Sequence, residues 1–217
     1  MTPIRPRALL FDWDNTLIDS WGAIHNALAV TFRAMGREPW TFEQTRQRVR
    51  ASARDAFPVL FGERAGEAAE IFYRAFEAEH LDNLRERDGA GDMLRALAAE
   101  KAFYLAVVSN KRGYLLRREA VHLGWSAYFD RLVGANDAVR DKPAAAAVEL
   151  ALAEAPVAPG PEVWFVGDTD IDMRCAVDAG CVPVLLRPAP PAEGEFGHAP
   201  RLHVSSCGAL LEALRAL

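Results

Sequence analysis

One stretch near the N-terminus limits what this chain can become. Leu9-Leu10-Phe11 is an apolar run with strand character that drives into Asp12-Trp13-Asp14-Asn15-Thr16. Alternate residues of a strand share a face, so a strand continued to Asp14 points Asp12 and Asp14 the same way and Trp13 the other. Two like charges about 4 Å apart repel by about 4 kcal/mol at an effective dielectric of about 20. A fold that keeps both carboxylates must supply a cation or hold a proton on one of them. Taken alone, the stretch also fits a strand ending in an ordinary carboxylate-rich turn, so the remaining strands decide its meaning.

Those strands are legible. Residues 7–14 read as the first strand, apolar enough to be buried on both faces. From about Ser20 to Arg87 no β-like run occurs. Trp21, Ile24, Leu28 and Phe32 recur at helical spacing, Thr41 with Gln44 resembles a capping box, and Ala68, Ile71, Phe72, Ala75 and Phe76 mark another amphipathic helix. After Asp88 the texture alternates. Strands are expected over 103–108, 129–133, 163–166 and 182–186, separated by helices that include one opened by Asp141-Lys142-Pro143. Residues 188–200 read as a loop and 210–217 as a terminal helix. Alternating strands and helices imply an α/β fold with a mainly parallel sheet covered on both sides, in which ligands bind beyond the carboxyl ends of the strands. The expected organisation is a core of residues 1–19 and 88–217, interrupted by an all-helical insertion over 20–87.

Four strand ends then carry a consistent set of residues. Asp12 and Asp14 follow the first, Ser109 and Asn110 the second, Lys142 the third, and Asp168 with Asp172 the fourth. Carboxylates from two strand ends make an oxygen-rich site suited to Mg2+. Ser109 and Asn110 at a strand-to-helix junction, and Lys142 before a proline at the first turn of a helix, would form an anion-binding pole. Each piece has an ordinary alternative: Ser109 and Asn110 as helix caps, Lys142 as a solvated lysine, the 167–169 turn as a capped helix start. Asp170 reads as solvated. The ordered combination points to phosphoryl transfer.

Composition narrows the partners. The formal net charge of the 217 residues is -5, which gives no electrostatic reason to expect nucleic acid or an anionic membrane, so an anionic substrate must be held by local cations. No apolar run reaches membrane-spanning length and residues 1–7 lack a signal-peptide core. Cys175, Cys181 and Cys207 form no CxxC pair and read as thiols in a reducing cytosol, so the expected location is cytoplasmic. The oligomeric state is open at this level.

The four ordered motifs, Asp12-Trp13-Asp14-Asn15-Thr16, Ser109-Asn110, Lys142-Pro143 and Gly167-Asp168-Thr169 with Asp172, resemble those of haloacid dehalogenase-like hydrolases, in the branch with a helical cap inserted after the first strand. The resemblance implies a Rossmann-like α/β/α core, a mobile cap, and Mg2+-dependent transfer of a phosphoryl group from a small phosphorylated metabolite through an aspartyl-phosphate. It makes Asp12 the nucleophile and Asp14 the acid and base. Thr16, Ser109, Asn110 and Lys142 would bind phosphate, and Asp12, the backbone carbonyl of Asp14 and Asp168 would hold the metal, with Asp172 binding it directly or through water. An acid at Asp14 favours phosphate esters over haloacids. Trp13 and Asn15 replace a more usual leucine and glycine. A phosphoglycolate-type phosphatase is the leading expectation. A sugar phosphomutase, with Arg50 and Arg54 of the cap anchoring a second anion, and a non-catalytic binding protein are its rivals.

Overall fold

The computed structural model describes residues 4–217. In chain order the elements are β1 (Ala8–Phe11), β2 (Ile18–Asp19), α1 (Trp21–Ala34), α2 (Phe42–Arg48), α3 (Ala53–Phe61), α4 (Ala65–Glu79), β3 (Arg85–Glu86), α5 (Ala90–Glu100), β4 (Tyr104–Arg112), α6 (Gly113–His122), β5 (Arg131–Ala135), α7 (Ala146–Ala151), β6 (Val163–Gly167), α8 (Asp170–Asp178), β7 (Val182–Leu186), β8 (Leu202–Val204) and α9 (Cys207–Arg215). The chain divides into two compact units, Met1–Ile18 with Glu86–Leu217, and Asp19–Arg85.

The first unit is built on a six-stranded, wholly parallel sheet in the order β5-β4-β1-β6-β7-β8. β1 is an inner strand: Leu9 pairs with Leu105 on one side and Trp164 on the other, and Phe11 with Val107 and Val166. All four β1 residues are completely buried, as a parallel strand covered on both faces requires. Burial of Leu9, Leu10 and Phe11 stabilises the fold by about 1.5–3 kcal/mol each. Ala8 and Leu10 share one face, where they pack with Ala106, Val108, Phe165 and the inner sides of α7 and α8.

The second unit is all-helical between its short terminal strand residues. Leu28, Phe32, Met35, Phe57, Phe61 and Ala68 form its own core. Thr41 and Gln44 make both bonds of the expected capping box: Gln44 N–H donates to Thr41 Oγ1 at 3.2 Å, and Thr41 N–H to Gln44 Oε1 at 2.9 Å.

Four local expectations are corrected. The first strand ends at Phe11, so Asp12 and Asp14 lie in the loop beyond it, Asp14 in an isolated bridge to Ile18. β4 continues through Arg112 because backbone pairing to β5 resumes after a register shift between Val108 and Arg112, beyond the point where the apolar pattern stops. Ser109 and Asn110 therefore stand within β4, three and two residues before its end at Arg112. The helix expected to open at Pro143 begins at Ala146, since Ala144 N–H closes a turn onto the Asp141 carbonyl; the N-terminal helix position assigned to Pro143 is lost. β8 was not expected, being three residues long and too short to show a period.

Candidate active site

The loop after β1 is a tight device. Asp12 N–H extends the ladder to the Val166 carbonyl at 2.9 Å; Leu17 and Ile18 N–H groups then both return to the Trp13 carbonyl, and Asn15 N–H to the Ile18 carbonyl. Asn15 adopts φ +67°. Left-handed backbone costs most L-residues roughly 1–2 kcal/mol, and asparagine is one of the few that visit it routinely. That explains how asparagine serves where glycine is common in the family this loop resembles.

The turn sends the two aspartates into different surroundings. Asp12, 7% exposed, accepts a hydrogen bond from Lys142 Nζ at 2.6 Å. The same ammonium donates to Asp172 Oδ1 at 2.7 Å, and all three groups are buried. Thr16 Oγ1 lies 3.3 Å from Asp12 Oδ2 and 3.2 Å from Asp168 Oδ1; its single proton can serve one of them at a time. Asp172 has a second duty, because its Oδ2 accepts from the N–H and hydroxyl of Thr169 and so caps α8. Gly167 is required here: a Cβ at that position would stand 2.4 Å from the Asp172 Cβ.

Charge is crowded at this pole. Asp12, Asp168 and Asp172 offer carboxylate oxygens within 4.8 Å of one another. Burial pushes the Asp12 carboxyl up to about 7 against the pull of Lys142, with Asp172 and Asp14 adding to the rise. Asp168 is raised well above the usual carboxylate range, by burial and by its two acidic neighbours. Burial opposes the charge of Lys142, yet Asp12 and Asp172 hold its ammonium above the ordinary lysine value. Three carboxylates facing one ammonium leave two negative charges when all are ionised. A donor set made wholly of carboxylate oxygens suits a hard divalent cation such as Mg2+, and the residues present fit one.

Asp14 faces elsewhere. Its Oδ1 lies 2.7 Å from Lys111 Nζ, and that ammonium reaches Glu119 Oε2 at 2.6 Å. Trp13 Nε1 donates to the same Glu119 oxygen at 2.7 Å. Burial opposes the charge of Lys111 as well, and Asp14 and Glu119 outweigh it to raise its pKa. Sequence reasoning missed Lys111 and Glu119. The signal was present: Glu119 falls three and four residues after Leu116 and Leu115 on the buried stripe of α6, where an acid has no place without a partner.

The other expected site residues divide. Ser109 is buried and its Oγ accepts the Lys111 N–H at 3.1 Å. Asn110 Nδ2 donates to the Lys142 carbonyl at 3.2 Å, tying that segment to β4, while its Oδ1 is buried without a partner. Asp170 is half-buried at the start of α8. Arg50 and Arg54 belong to the helical unit, both exposed; Arg50 donates to the carbonyls of Arg46 and Val49 at the end of α2. Among the described residues no helix is long and apolar enough to cross a membrane, and the three cysteines are free.

Known proteins share this sequence pattern and this fold. A sequence model of the haloacid dehalogenase-like hydrolases matches residues 9–185. A phosphoglycolate phosphatase of Aquifex aeolicus is 31% identical over 175 residues, covering 80% of this chain and 81% of the relative. The pyrophosphatase PpaX of Listeria monocytogenes is 30% identical over 173 residues, covering 79% and 78%. Among solved structures, a HAD-superfamily hydrolase from Ehrlichia chaffeensis superposes with a TM-score of 0.66 at 27% identity, covering 98% of each chain. A haloacid dehalogenase-like family protein from Streptococcus pneumoniae reaches 0.80 at 22% identity, covering 96% and 98%. The chain belongs to the haloacid dehalogenase-like hydrolase family.

Proposed function

We propose that the protein is a Mg2+-dependent phosphatase that hydrolyses a small phosphate monoester through a phosphoryl-Asp12 intermediate. The observation that carries this reading is the unequal placing of Asp12 and Asp14 by one loop, the first among carboxylates and Lys142, the second on Lys111. Asp12, Asp168, Asp172 and the Asp14 carbonyl would hold the cation, which when bound offsets the negative charge gathered between nucleophile and phosphoryl group.

The protein's own groups divide the chemistry. An Asp12 carboxylate oxygen attacks phosphorus; the new O–P bond forms as the ester O–P bond breaks, and Asp14 gives its proton to the leaving oxygen. Asp14, now a carboxylate, takes a proton from water as that water attacks phosphorus. The Asp12–phosphorus bond breaks, inorganic phosphate leaves, and both aspartates return to their starting forms. Such acid–base help typically contributes about 10²–10⁴-fold. Lys142, Thr16 and Ser109 bind the phosphoryl oxygens in this account, and the Lys142 ammonium also offsets their charge. Asn110 acts one step back, by holding Lys142.

Selectivity is assigned to the helical unit acting as a cap, with Arg50 and Arg54 as candidate anion contacts. Phosphoglycolate is the lead substrate, supported by the names of relatives; free thiols support a reducing, cytoplasmic setting. The test is inorganic phosphate release with Mg2+ from a panel that includes phosphoglycolate and pyrophosphate. Multiple turnovers without a bisphosphate activator exclude a phosphomutase, and Asp12→Asn should reduce release to background with an unchanged fold. No turnover on any ester of the panel would move the assignment to a binding protein.

A further inference from the structure

A buried chain of groups stands behind Asp14. Trp13 and Glu119 are both 0% exposed and Lys111 is 7% exposed. Trp13 meets Trp125 edge-on at 5.7 Å and Phe129 at 6.3 Å between ring centroids, which fixes the plane of its indole. The indole N–H then fixes Glu119 Oε2, the carboxylate fixes Lys111 Nζ, and the ammonium reaches Asp14 Oδ1. Lys111 is held from its backbone side as well, by the Ser109 hydroxyl within the irregular end of β4.

Stability does not explain such an arrangement. Buried ion pairs are often matched or bettered by well-packed apolar residues of the same volume, and α6 could have presented another leucine to the sheet. The arrangement does supply direction. An Asp14 carboxylate without a fixed partner would be free to turn, whereas a lysine anchored by Glu119 keeps it aimed apart from the oxygens of Asp12, Asp168 and Asp172. An aliphatic residue at position 13 would leave the Glu119 oxygen one donor short. The identity of Trp13 thus belongs with Glu119 as one unit.

We infer that Glu119 is a positioning residue for phosphoryl transfer: through Lys111, and locked by Trp13, it holds the Asp14 carboxyl where it can deliver its proton to the leaving oxygen. This rests on the acid–base role given to Asp14 above. Its consequence is specific to the leaving group. Expulsion of an alkoxide needs the proton, whereas p-nitrophenolate leaves without it.

The experiment compares kcat/KM for ethyl phosphate and p-nitrophenyl phosphate in wild type, Asp14→Asn, Glu119→Gln, Trp13→Phe and the Asp14→Asn/Glu119→Gln double variant. This ratio reports steps up to phosphorylation of Asp12, so the later hydrolysis common to both esters drops out. Asp14→Asn should lose on the order of 10²-fold or more with ethyl phosphate and far less with p-nitrophenyl phosphate. Glu119→Gln should show the same selective loss, roughly 10-fold or more, and add nothing to Asp14→Asn in the double variant. Trp13→Phe removes the indole N–H together with one ring of a wholly buried side chain; it should show the selective loss in smaller measure, and that selectivity between esters, which a packing defect alone would not produce, decides the matter should Glu119→Gln fail to fold. If Asp14→Asn slows both esters equally, the acid role fails and this inference with it. If Asp14→Asn is selective while Glu119→Gln and Trp13→Phe slow both esters equally or neither, or if the double variant is additive, the positioning role alone is overturned.

Discussion

Two buried lysines stand on either side of one loop, each between two carboxylates, and they differ in one respect. Lys142 bridges Asp12 and Asp172 at 2.6 and 2.7 Å; Lys111 bridges Asp14 and Glu119 at 2.7 and 2.6 Å. The bond lengths are matched. The surroundings are not, because the first pair faces a third carboxylate, Asp168, while the second faces an indole N–H. The first pole keeps a surplus of negative charge that a divalent cation can relieve. The second carries one negative charge when both of its acids are ionised, one fewer than the first, and its Glu119 oxygen is met by an indole N–H as well as by the ammonium. One pole suits a nucleophile that must meet an anionic substrate, the other a carboxyl that must be aimed.

Removing each lysine breaks the comparison in a different place. Lys142→Met leaves Asp12 and Asp172 buried without their cation, which should cost about 3–5 kcal/mol of stability. It should also lower kcat by roughly 10²–10³-fold or more with every ester, measured by chemical denaturation and by phosphate release. Lys111→Met should cost a similar 3–5 kcal/mol through Glu119, yet spare kcat/KM for p-nitrophenyl phosphate to within about threefold, since that ester needs no proton. Equal losses of activity in the two variants would mean that the poles do not divide the chemistry.

Metal removal sharpens the comparison through pH. Burial raises Asp12 to about 7 and lifts Asp168 well above the ordinary range, so without a cation the folded protein keeps protons that the unfolded chain releases near pH 4. Where the folded state binds more protons, stability falls as pH rises, here between about 4 and 7, by up to about 1.4 kcal/mol per pH unit for each such group. A cation on these carboxylates displaces the protons. Added Mg2+ should therefore raise Tm more at about pH 8 than at about pH 5.5, by roughly 4–8 °C if the difference is about 2 kcal/mol. An equal shift at both values would place the cation away from Asp12 and Asp168.

The smallest effect belongs to the helical unit. Thr41→Ala removes one bond of the α2 capping box and should cost about 1 kcal/mol with kcat unchanged on p-nitrophenyl phosphate. A change in kcat there would show that the unit's internal stability reaches the chemistry.

Much of this was legible beforehand for physical reasons. β1 is a fully buried parallel strand, so its apolar run is unbroken, and the next strands announce themselves the same way. The Thr41–Gln44 box is a local contact between residues three apart, which the sequence carries whole. Where pattern and hydrogen bonding part company, the reading stopped short. β4 runs on through polar Ser109 and Asn110 because its backbone still pairs, and the turn at Asp141 delays α7 by three residues. Glu119 was overlooked because its partners, Lys111 and Trp13, lie 8 and 106 positions away, and a helical stripe shows only that an acid is buried, not what meets it. Asp14 was placed beside Asp12 by strand periodicity, and the loop that separates their partners begins where that periodicity ends.

The most direct measurement is the site of covalent phosphorylation. Enzyme turning over p-nitrophenyl phosphate with Mg2+ is quenched in acid, digested and sequenced by mass spectrometry, alongside Asp14→Asn and Asp12→Asn. Phosphate on Asp12 in wild type, accumulating further in Asp14→Asn because hydrolysis lacks its base, and absent in Asp12→Asn, is the predicted result. Turnover by Asp12→Asn at the wild-type rate, or phosphate trapped on any other residue, would contradict the assignment of Asp12 as nucleophile.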